Sequence, residues 1–240
     1  MPDNRTFEQL FDGIAPDYDR MNHLMSFNAD RRWRKVAVRH ITNTSEPLQV
    51  LDLATGTGDL AIAIAQKLPA GGHTTGVDLS EKMLELGLGK VVVEGLSERV
   101  ELVRGNAEQL PFNDGSFDRV SVAFGVRNYE DLGKGLSEAC RVLRHGGKLV
   151  VLELSYPDNR FLLWCYKLYA LKVLPWLGSL ISGDRAAYTY LPESILRFPK
   201  GEAFRTLLRT AGFGHVTEKK LTFGVCRMYV AEKNPTAPIL

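Results

Sequence analysis

Short apolar runs alternate with amphipathic stretches along most of the chain, and this alternation predicts an α/β protein. Five runs have the length and composition of buried strands, at 49–53, 74–78, 100–104, 117–124 and 148–154. Three stretches with helical periodicity lie between them, at 60–68, 80–92 and 132–143. Because parallel strands need a long crossover connection, the pattern predicts a doubly wound, mostly parallel sheet.

The regions outside this alternation predict additions to the sheet. Residues 1–43 are expected to form an N-terminal helical lid, in which Asn28-Ala29-Asp30 would cap a helix. Residues 44–240 would form the main domain, with a helical, apolar insertion at about 156–199. Two strand-like runs that flank Gly224 predict a C-terminal antiparallel hairpin, which would close the sheet.

The first strand runs directly into a glycine turn, Ala54-Thr55-Gly56-Thr57-Gly58, which is followed by a helical stretch. Glycines let the backbone approach a ligand closely, and the helix N-terminus offers unpaired N–H groups. About 20 residues further on, Asp78 ends the second strand, at a spacing that suits a carboxylate binding both hydroxyls of a ribose. The pattern therefore predicts a nucleotide-cofactor site that includes Gly56, Gly58 and Asp78.

Two cofactors fit this turn, and a tight turn without a ligand is a third interpretation. The run 56–61 matches the dinucleotide fingerprint with alanine in the last position, and it also matches the turn that binds S-adenosylmethionine (SAM). Asp52 and Asp59 place carboxylates around the turn, where they would repel a pyrophosphate and attract the amino group of a methionine moiety. The local charge favours SAM over NAD.

The third strand is followed by Gly105-Asn106-Ala107-Glu108, which supplies a candidate for the base of the cofactor. The Asn106 amide could bond an adenine edge, and the N–H of Ala107 could donate to a ring nitrogen. Asparagine is also common in turns for local reasons, so a purely structural role is the alternative.

Composition narrows the class of protein without identifying it. The 240 residues are 45% hydrophobic and carry a net charge of +2, which is ordinary for a globular protein and implies no strong attraction to nucleic acid. The basic run 31–35 is interpreted as the solvated face of a helix. Three widely spaced cysteines and five scattered histidines predict neither disulfides nor a metal site, and the first ten residues lack a signal-peptide core, so we expect a cytoplasmic protein.

Further motifs resemble those of known enzymes. The glycine turn, Asp78, Asn106-Ala107 and the turn at 114–118 are similar to those of class I SAM-dependent methyltransferases. Three more segments, at 11–22, 124–128 and 188–195, lie in the order found in one family. From about residue 11 to 232, the chain resembles the ubiquinone/menaquinone biosynthesis C-methyltransferase family.

The resemblance implies a reaction and a set of cofactor contacts. Members of this family use SAM to methylate a ring carbon of a polyprenylated hydroquinone, which is a lipophilic quinol. The family's SAM contacts fall here on Thr57, Asp78, Asn106 and Ala107. Ala123 occupies a position that is often serine in relatives acting on ubiquinone precursors, which favours demethylmenaquinol as the substrate. The benzoquinol of ubiquinone biosynthesis, or both acceptors, remain open alternatives, with a NAD-dependent oxidoreductase as a more distant one.

The chemistry of carbon methylation suggests the catalytic residues. A ring carbon becomes a good nucleophile when the neighbouring oxygen is a phenolate, so the enzyme has to share or remove a phenol proton. Within the motif at 124–128, Arg127 is our candidate for stabilising the anion, and Asn128 could hold the same oxygen or a water. Tyr18 with a bound water would relay the proton, and Asp19 and His23 are alternative bases.

The most apolar run of the chain is 161–177, inside the insertion. Lys167, Lys172 and Pro175 interrupt it, so it is poorly suited to crossing a bilayer. It could form a helix packed on the domain, or an entrance in peripheral contact with the inner membrane surface, where a polyprenyl quinol resides. Assembly as a homodimer is a further expectation.

Overall fold

The computed structural model describes residues 12–13, 15, 18–169 and 185–235, without the side chains of 185–190. Its strands are β1 Gln49–Leu53, β2 His73–Asp78, β3 Val100–Arg104, β4 Phe117–Ala123, β5 Leu143–Leu154, β6 Phe213–Leu221 and β7 Cys226–Lys233. They form one sheet in the order β3-β2-β1-β4-β5-β7-β6. Strands β1 to β5 pair in parallel, β7 is antiparallel to β5, and β6 is antiparallel to β7. The predicted parallel sheet with a closing antiparallel hairpin is confirmed.

Helices bury both faces of this sheet. They are α1 Tyr18–Met25, α2 Ala29–Ile41, α3 Asp59–Ala65, α4 Glu81–Val93, α5 Leu132–Val142, α6 Arg160–Leu168, α7 Arg185–Arg197 and α8 Glu202–Thr210. One apolar core contains Leu51 of β1 with residues of α5 and α8, and a second contains Val50 with residues of α2 and α3. Successive residues of a strand point to opposite faces, so adjacent apolar residues in β1 fill two cores at once.

Two helices begin in different ways. Ser80 caps α4, and its Oγ accepts a hydrogen bond of 3.2 Å from the Met83 N–H. Asn28 precedes α2 in a left-handed conformation and makes no side-chain capping bond. Ser26 Oγ instead accepts a hydrogen bond of 3.4 Å from the Asp30 N–H, so the cap prediction for Asn28 was wrong.

Strand β5 begins earlier than its hydrophobic run predicts. Leu143 already pairs with Phe117, and the register then shifts before Lys148 pairs with Arg119. The intervening segment contains Gly146 in a left-handed conformation, with φ of 75°. The segment is therefore an irregularity within the strand and does not end it.

The predicted lid and insertion extend partly outside the described residues. Residues 18–41 supply α1 and α2, and α6 and α7 lie in the insertion. Residues 1–11 of the lid and 170–184 of the insertion lie outside the description, so the bounds of both regions stay predictions. Among the described helices, none is both long and apolar enough to cross a membrane.

Candidate active site

A cleft lies at the carboxyl ends of β1 to β4, where ligands of such sheets bind. It has a volume of about 740 Å³. Most of the predicted cofactor residues line it, namely Gly56, Asp78, Asn106, Ala107 and Ala123.

Asp78 is held in the cleft by the backbone. The N–H of Gly56 donates to Oδ2 over 2.8 Å, and the N–H of Ser80 donates to Oδ1 over 2.9 Å. Burial raises the pKa of this carboxyl, and the two N–H donors partly offset that effect. Gly56 has φ of 56°, which glycine adopts without strain. Asp78 is therefore a fixed double acceptor, as the binding of a ribose diol requires.

Asn106 makes a local turn contact and also faces the cleft. Its Oδ1 accepts a hydrogen bond of 2.8 Å from the Glu108 N–H, which is the local turn role. Asn106 and Ala107 nevertheless both line the cleft. The Glu108 carboxylate accepts from the N–H groups of Glu130 and Asp131, so it fixes the segment that enters α5. The adenine-binding role of Asn106 and Ala107 stays a prediction.

Two residues other than glycine adopt a left-handed backbone at this edge of the sheet. Ala54 has φ of 49° and Phe124 has φ of 60°, and both line the cleft. Gly125 packs against Ala54 so closely that a Cβ on it would lie 2.4 Å from the Ala54 Cβ. Such strained conformations cluster at functional sites, and sequence reasoning did not identify either of them.

Thr57 and Gly58 belong to the predicted cofactor turn but do not line the cleft. Thr57 Oγ1 donates to Asp19 of α1 over 2.7 Å. Lys90 Nζ of α4 donates to Thr57 over 2.9 Å, to Asp59 over 2.7 Å and also to Asp19. The Thr57 side chain thus ties the lid helix to the glycine turn, so a direct side-chain contact with the cofactor is not what the geometry provides.

The two carboxylates that favoured SAM in the sequence analysis, Asp52 and Asp59, both have partners within the protein. Asp59 pairs with Lys90. Asp52 lies below the turn and accepts hydrogen bonds of 2.7 Å from Thr55 Oγ1 and from Ser121 Oγ. Burial raises the pKa of Asp52 to about 6 in spite of these donors. Neither carboxylate lines the cleft, so their charge could act on a cofactor only from a distance, and the charge argument stays a prediction.

A second, larger space adjoins the cleft and shares Tyr18 and Phe124 with it. This apolar cavity has a volume of about 980 Å³. Its aromatic walls come from distant parts of the chain: Phe27, Trp33, Tyr166 and Tyr169. Trp33 is fixed by a hydrogen bond of 2.8 Å from its Nε1 to Thr222 Oγ1. None of these four aromatic side chains was identified from the sequence.

Arg127 lines the apolar cavity and is paired with Glu153. Its Nη1 donates to Glu153 Oε1 over 2.8 Å and also to the carbonyl of Phe124, and its N–H donates to Glu153 Oε2 over 3.2 Å. The side chains of Arg127 and Glu153 are only 6% and 1% exposed. Sequence reasoning missed Glu153, although a single carboxylate in the apolar run 148–154 is the signal that could have identified it.

Asn128 faces the cofactor cleft and does not line the apolar cavity. Arg127 lines the apolar cavity and not the cleft. In a 3₁₀ turn, consecutive side chains point about 120° apart, which separates these two neighbours. Of the two interpretations offered for Asn128, holding a water fits this arrangement better than holding the oxygen bound by Arg127, and the roles of both residues stay predictions.

Tyr18 lines both spaces. Burial raises the pKa of its phenol, while the charge of Arg127 and a hydrogen bond with Asn22 partly oppose that rise. Tyr18 therefore keeps its proton at neutral pH and is suited to donating a hydrogen bond. The alternative bases, Asp19 and His23, line neither space.

The match to a family model covers residues 2–233, and that model describes the ubiE/COQ5 methyltransferase family. The chain belongs to this family. It is 46% identical to a demethylmenaquinone methyltransferase of Bacteroides fragilis over 94% of this chain and 91% of that protein. It is 45% identical to a ubiquinone/menaquinone biosynthesis C-methyltransferase of Geobacter sulfurreducens over 93% of this chain and 87% of that one.

Solved structures agree on the fold of the family. A SAM-dependent methyltransferase from Thermotoga maritima superposes with a TM-score of 0.65 at 22% identity, covering 94% of this chain and 99% of that one. A sequence identity at this level supports a shared fold but says nothing about the substrate. Membership of a methyltransferase family decides against the nicotinamide-dependent alternative, which rested on the glycine turn alone.

Proposed function

We propose that this protein uses SAM to methylate a ring carbon of a polyprenyl hydroquinone, with demethylmenaquinol as the acceptor. The supporting observation is one pair of spaces: a cofactor cleft and a larger apolar cavity that share Tyr18 and Phe124. A lipophilic ring bound in the cavity would lie beside a cofactor bound in the cleft. The names of the relatives cover both quinol pathways, and the benzoquinol acceptor is the alternative.

The residues of the cleft fit SAM. Asp78 would accept hydrogen bonds from the ribose hydroxyls, and Asn106 with Ala107 would contact the adenine. Ala123 supplies no hydroxyl to the cleft. When bound, SAM supplies an electrophilic methyl group. The task of this chain is to hold the acceptor carbon in line with that group and to exclude water, and alignment alone contributes several kcal/mol.

Arg127 is the cation that would stabilise the quinolate. It lies in a nearly dry environment, where a charge acts on a developing anion more strongly than it would in water. Glu153 fixes its position and offsets part of its charge, so the field at the substrate is that of an oriented ion pair. Tyr18, which keeps its proton, would donate a hydrogen bond to the same oxygen and so favour its anionic form, while the phenol proton would leave through water to the solvent.

The helical N-terminal region is proposed to act as a lid over both spaces. Tyr18 of α1 contributes to both walls, and Asp19 beside it joins the Thr57 and Lys90 network. The same short helix therefore contacts the cofactor turn and the acceptor cavity. Cofactor binding at the turn would in this way favour closure over the acceptor.

The mouth of the apolar cavity is proposed to contact the membrane surface. Phe161, Trp164 and Leu168 lie on one face of α6 and are exposed, the first two by 69% and 62%. Tyr166 of the same helix lines the cavity. Phe27 lines the cavity and is 76% exposed. With Lys167 exposed as well, this helix has the composition of an interfacial element.

A turnover assay tests the proposed function. Purified protein receives SAM and chemically reduced demethylmenaquinol in detergent, and a parallel sample receives the methoxy-benzoquinol precursor. Products are followed by mass. A methyl group gained on the naphthoquinol ring supports the proposal, and a gain only on the benzoquinol ring supports the alternative. No product with either acceptor, while SAM is bound tightly, contradicts both.

A further inference from the structure

The apolar cavity contains an acidic group in addition to the basic one. Asp30, in the first turn of α2, lines the cavity although it is only 3% exposed. A carboxylate is costly to bury unless it is hydrogen-bonded, and most of its neighbours in the cavity wall are apolar or aromatic. Its presence there calls for a physical reason.

Local contacts keep Asp30 ionised. Ser26 Oγ donates to Oδ1 over 2.7 Å, His23 Nδ1 lies 2.8 Å from Oδ2, and Arg34 Nη1 also donates to Oδ2. Burial opposes ionisation, but these three groups together hold the pKa of Asp30 below its usual range. A carboxylate has about four acceptor positions, so Oδ1 keeps capacity for one more donor.

The cavity therefore presents an acceptor and a cation to a bound ring. Asp30 accepts hydrogen bonds and has none to give, whereas Arg127 only donates. A singly deprotonated hydroquinone has the complementary pair, an O–H on one side of the ring and an O⁻ on the other. The oxidised quinone has two carbonyl oxygens and no O–H, so one acceptor would face the Asp30 carboxylate.

We infer that Asp30 selects the reduced quinol over the oxidised quinone by accepting a hydrogen bond from the quinol hydroxyl that is not bound by Arg127. This inference rests on the proposed function and adds a specificity residue to it. A site that bound both forms equally would be blocked by the quinone, which cannot be methylated because its ring carbons are electron-poor. A quinone carbonyl held against this buried carboxylate would be repelled and left without a donor, which is a strong means of discrimination.

The experiment compares the two oxidation states of one short-tail demethylmenaquinone, oxidised in one sample and reduced with dithionite under argon in the other. Both are titrated with S-adenosylhomocysteine present, so that no turnover occurs. The wild type should bind the reduced form at least about tenfold more tightly. In Asp30→Asn, whose amide can donate to a carbonyl, the preference should fall by about tenfold, to near equality.

Three control variants separate selection from structure. Ser26→Ala and His23→Gln each remove one hydrogen-bond partner of Asp30 but leave its carboxylate in place. The preference for the reduced form should therefore persist in both variants. Glu202→Gln removes a helical carboxylate that pairs with Arg205 and Arg209 far from the cavity, and it should leave both affinities unchanged. Retained S-adenosylhomocysteine binding by Asp30→Asn shows that this variant is folded.

The outcomes distinguish a failure of this inference from a failure of the proposed function. Equal binding of both forms by the wild type overturns the inference, whether or not Asp30→Asn folds. An unchanged preference in folded Asp30→Asn also overturns it. Methyl transfer by the wild type in either case leaves the proposed function standing. If the wild type binds neither form and transfers no methyl group, the proposed function itself fails.

Discussion

The cofactor cleft and the apolar cavity adjoin each other but are built in different ways. The cleft is walled largely by segments that follow β1 to β4, so its contacts other than Tyr18 are close in sequence to a strand end. The walls of the apolar cavity come from segments as distant as Tyr18, Tyr166 and Val225. Cofactor binding therefore depends on local backbone geometry, whereas acceptor binding depends on tertiary packing.

This difference predicts that a substitution in the lining of one space changes the affinity for one ligand only. Within the described part of the chain, the two spaces share only Tyr18 and Phe124 among their lining residues. Residues on one side should therefore change the affinity for the cofactor or for the quinol, but not both. The following variants test that separation, in order of decreasing expected effect.

Removing the charge of Arg127 should have the largest effect. Arg127→Met combined with Glu153→Gln avoids a buried, unpaired carboxylate and should lower kcat by about 10²–10³. Affinity for SAM should stay near that of the wild type, because Arg127 does not line the cleft. Steady-state kinetics and calorimetry measure the two quantities. Arg205→Met, on α8, is the matched control, and near-normal turnover in the double variant would remove Arg127 from the mechanism.

Asp78→Asn should weaken SAM binding by about 10–100-fold, because it removes a charged acceptor from two hydroxyl groups. Binding of a short-tail quinol analogue should be unchanged, because Asp78 does not line the apolar cavity. Calorimetric titration of each ligand separately gives both affinities. A parallel loss of quinol binding would show that the two spaces are not independent.

The exposed face of α6 should matter only when the substrate is in a bilayer. Phe161→Ser with Trp164→Ser should reduce turnover of a long-tail quinol in phosphatidylcholine and phosphatidylglycerol vesicles by about tenfold. Turnover of a soluble short-tail analogue should be unaffected. Val92→Ser with Val93→Ser alters two apolar residues on α4 that are also exposed and serves as control. Equal vesicle flotation of all these proteins would argue against the membrane contact.

Asp52 should influence stability and not ligand choice. Its pKa of about 6 lies above the ordinary value of 3.8, so the folded state binds a proton more tightly than the unfolded state. Relative to Asp52→Asn, the wild type should gain stability as pH falls from about 7 to about 4, by at most about 3 kcal/mol. Urea unfolding at several pH values measures this.

Asp158 provides a comparison of opposite sign. Hydrogen bonds from Lys200, Lys220 and Arg227 hold the pKa of Asp158 well below its usual range. Its contribution to stability is therefore present at neutral pH and is lost as pH falls. The two variants, Asp52→Asn and Asp158→Asn, should diverge in the same titration, and parallel profiles would contradict the assignment for Asp52.

The sequence predicted correctly those parts of the fold whose residues are contiguous or nearly so. The strand, glycine turn and helix from Val50 to Ala65 are contiguous, and Asp78 ends the next strand, so local rules suffice to place them. The sheet and its closing hairpin followed in the same way from hydrophobic runs. The predicted start of β5 was wrong because strand pairing extends beyond the hydrophobic run. Leu143 belongs to β5 because it pairs with Phe117.

The rest could not be predicted because it depends on side-chain direction and distant packing. Asn128 and Arg127 are adjacent in sequence but face different spaces. Thr57 contacts Asp19, which lies 38 residues away, instead of lining the cleft. Glu153 and Asp30 acquire their roles only when the tertiary fold brings them to the cavity wall.

The most direct test is a crystal structure with S-adenosylhomocysteine and a short-tail demethylmenaquinol. We predict the nucleoside against Asp78 in the cleft and the quinol ring in the apolar cavity beside Arg127, with Tyr18 and Phe124 between the two spaces. A quinol ring bound outside this cavity, or a nucleoside bound away from Asp78, would contradict the central claim that cleft and cavity form one active site.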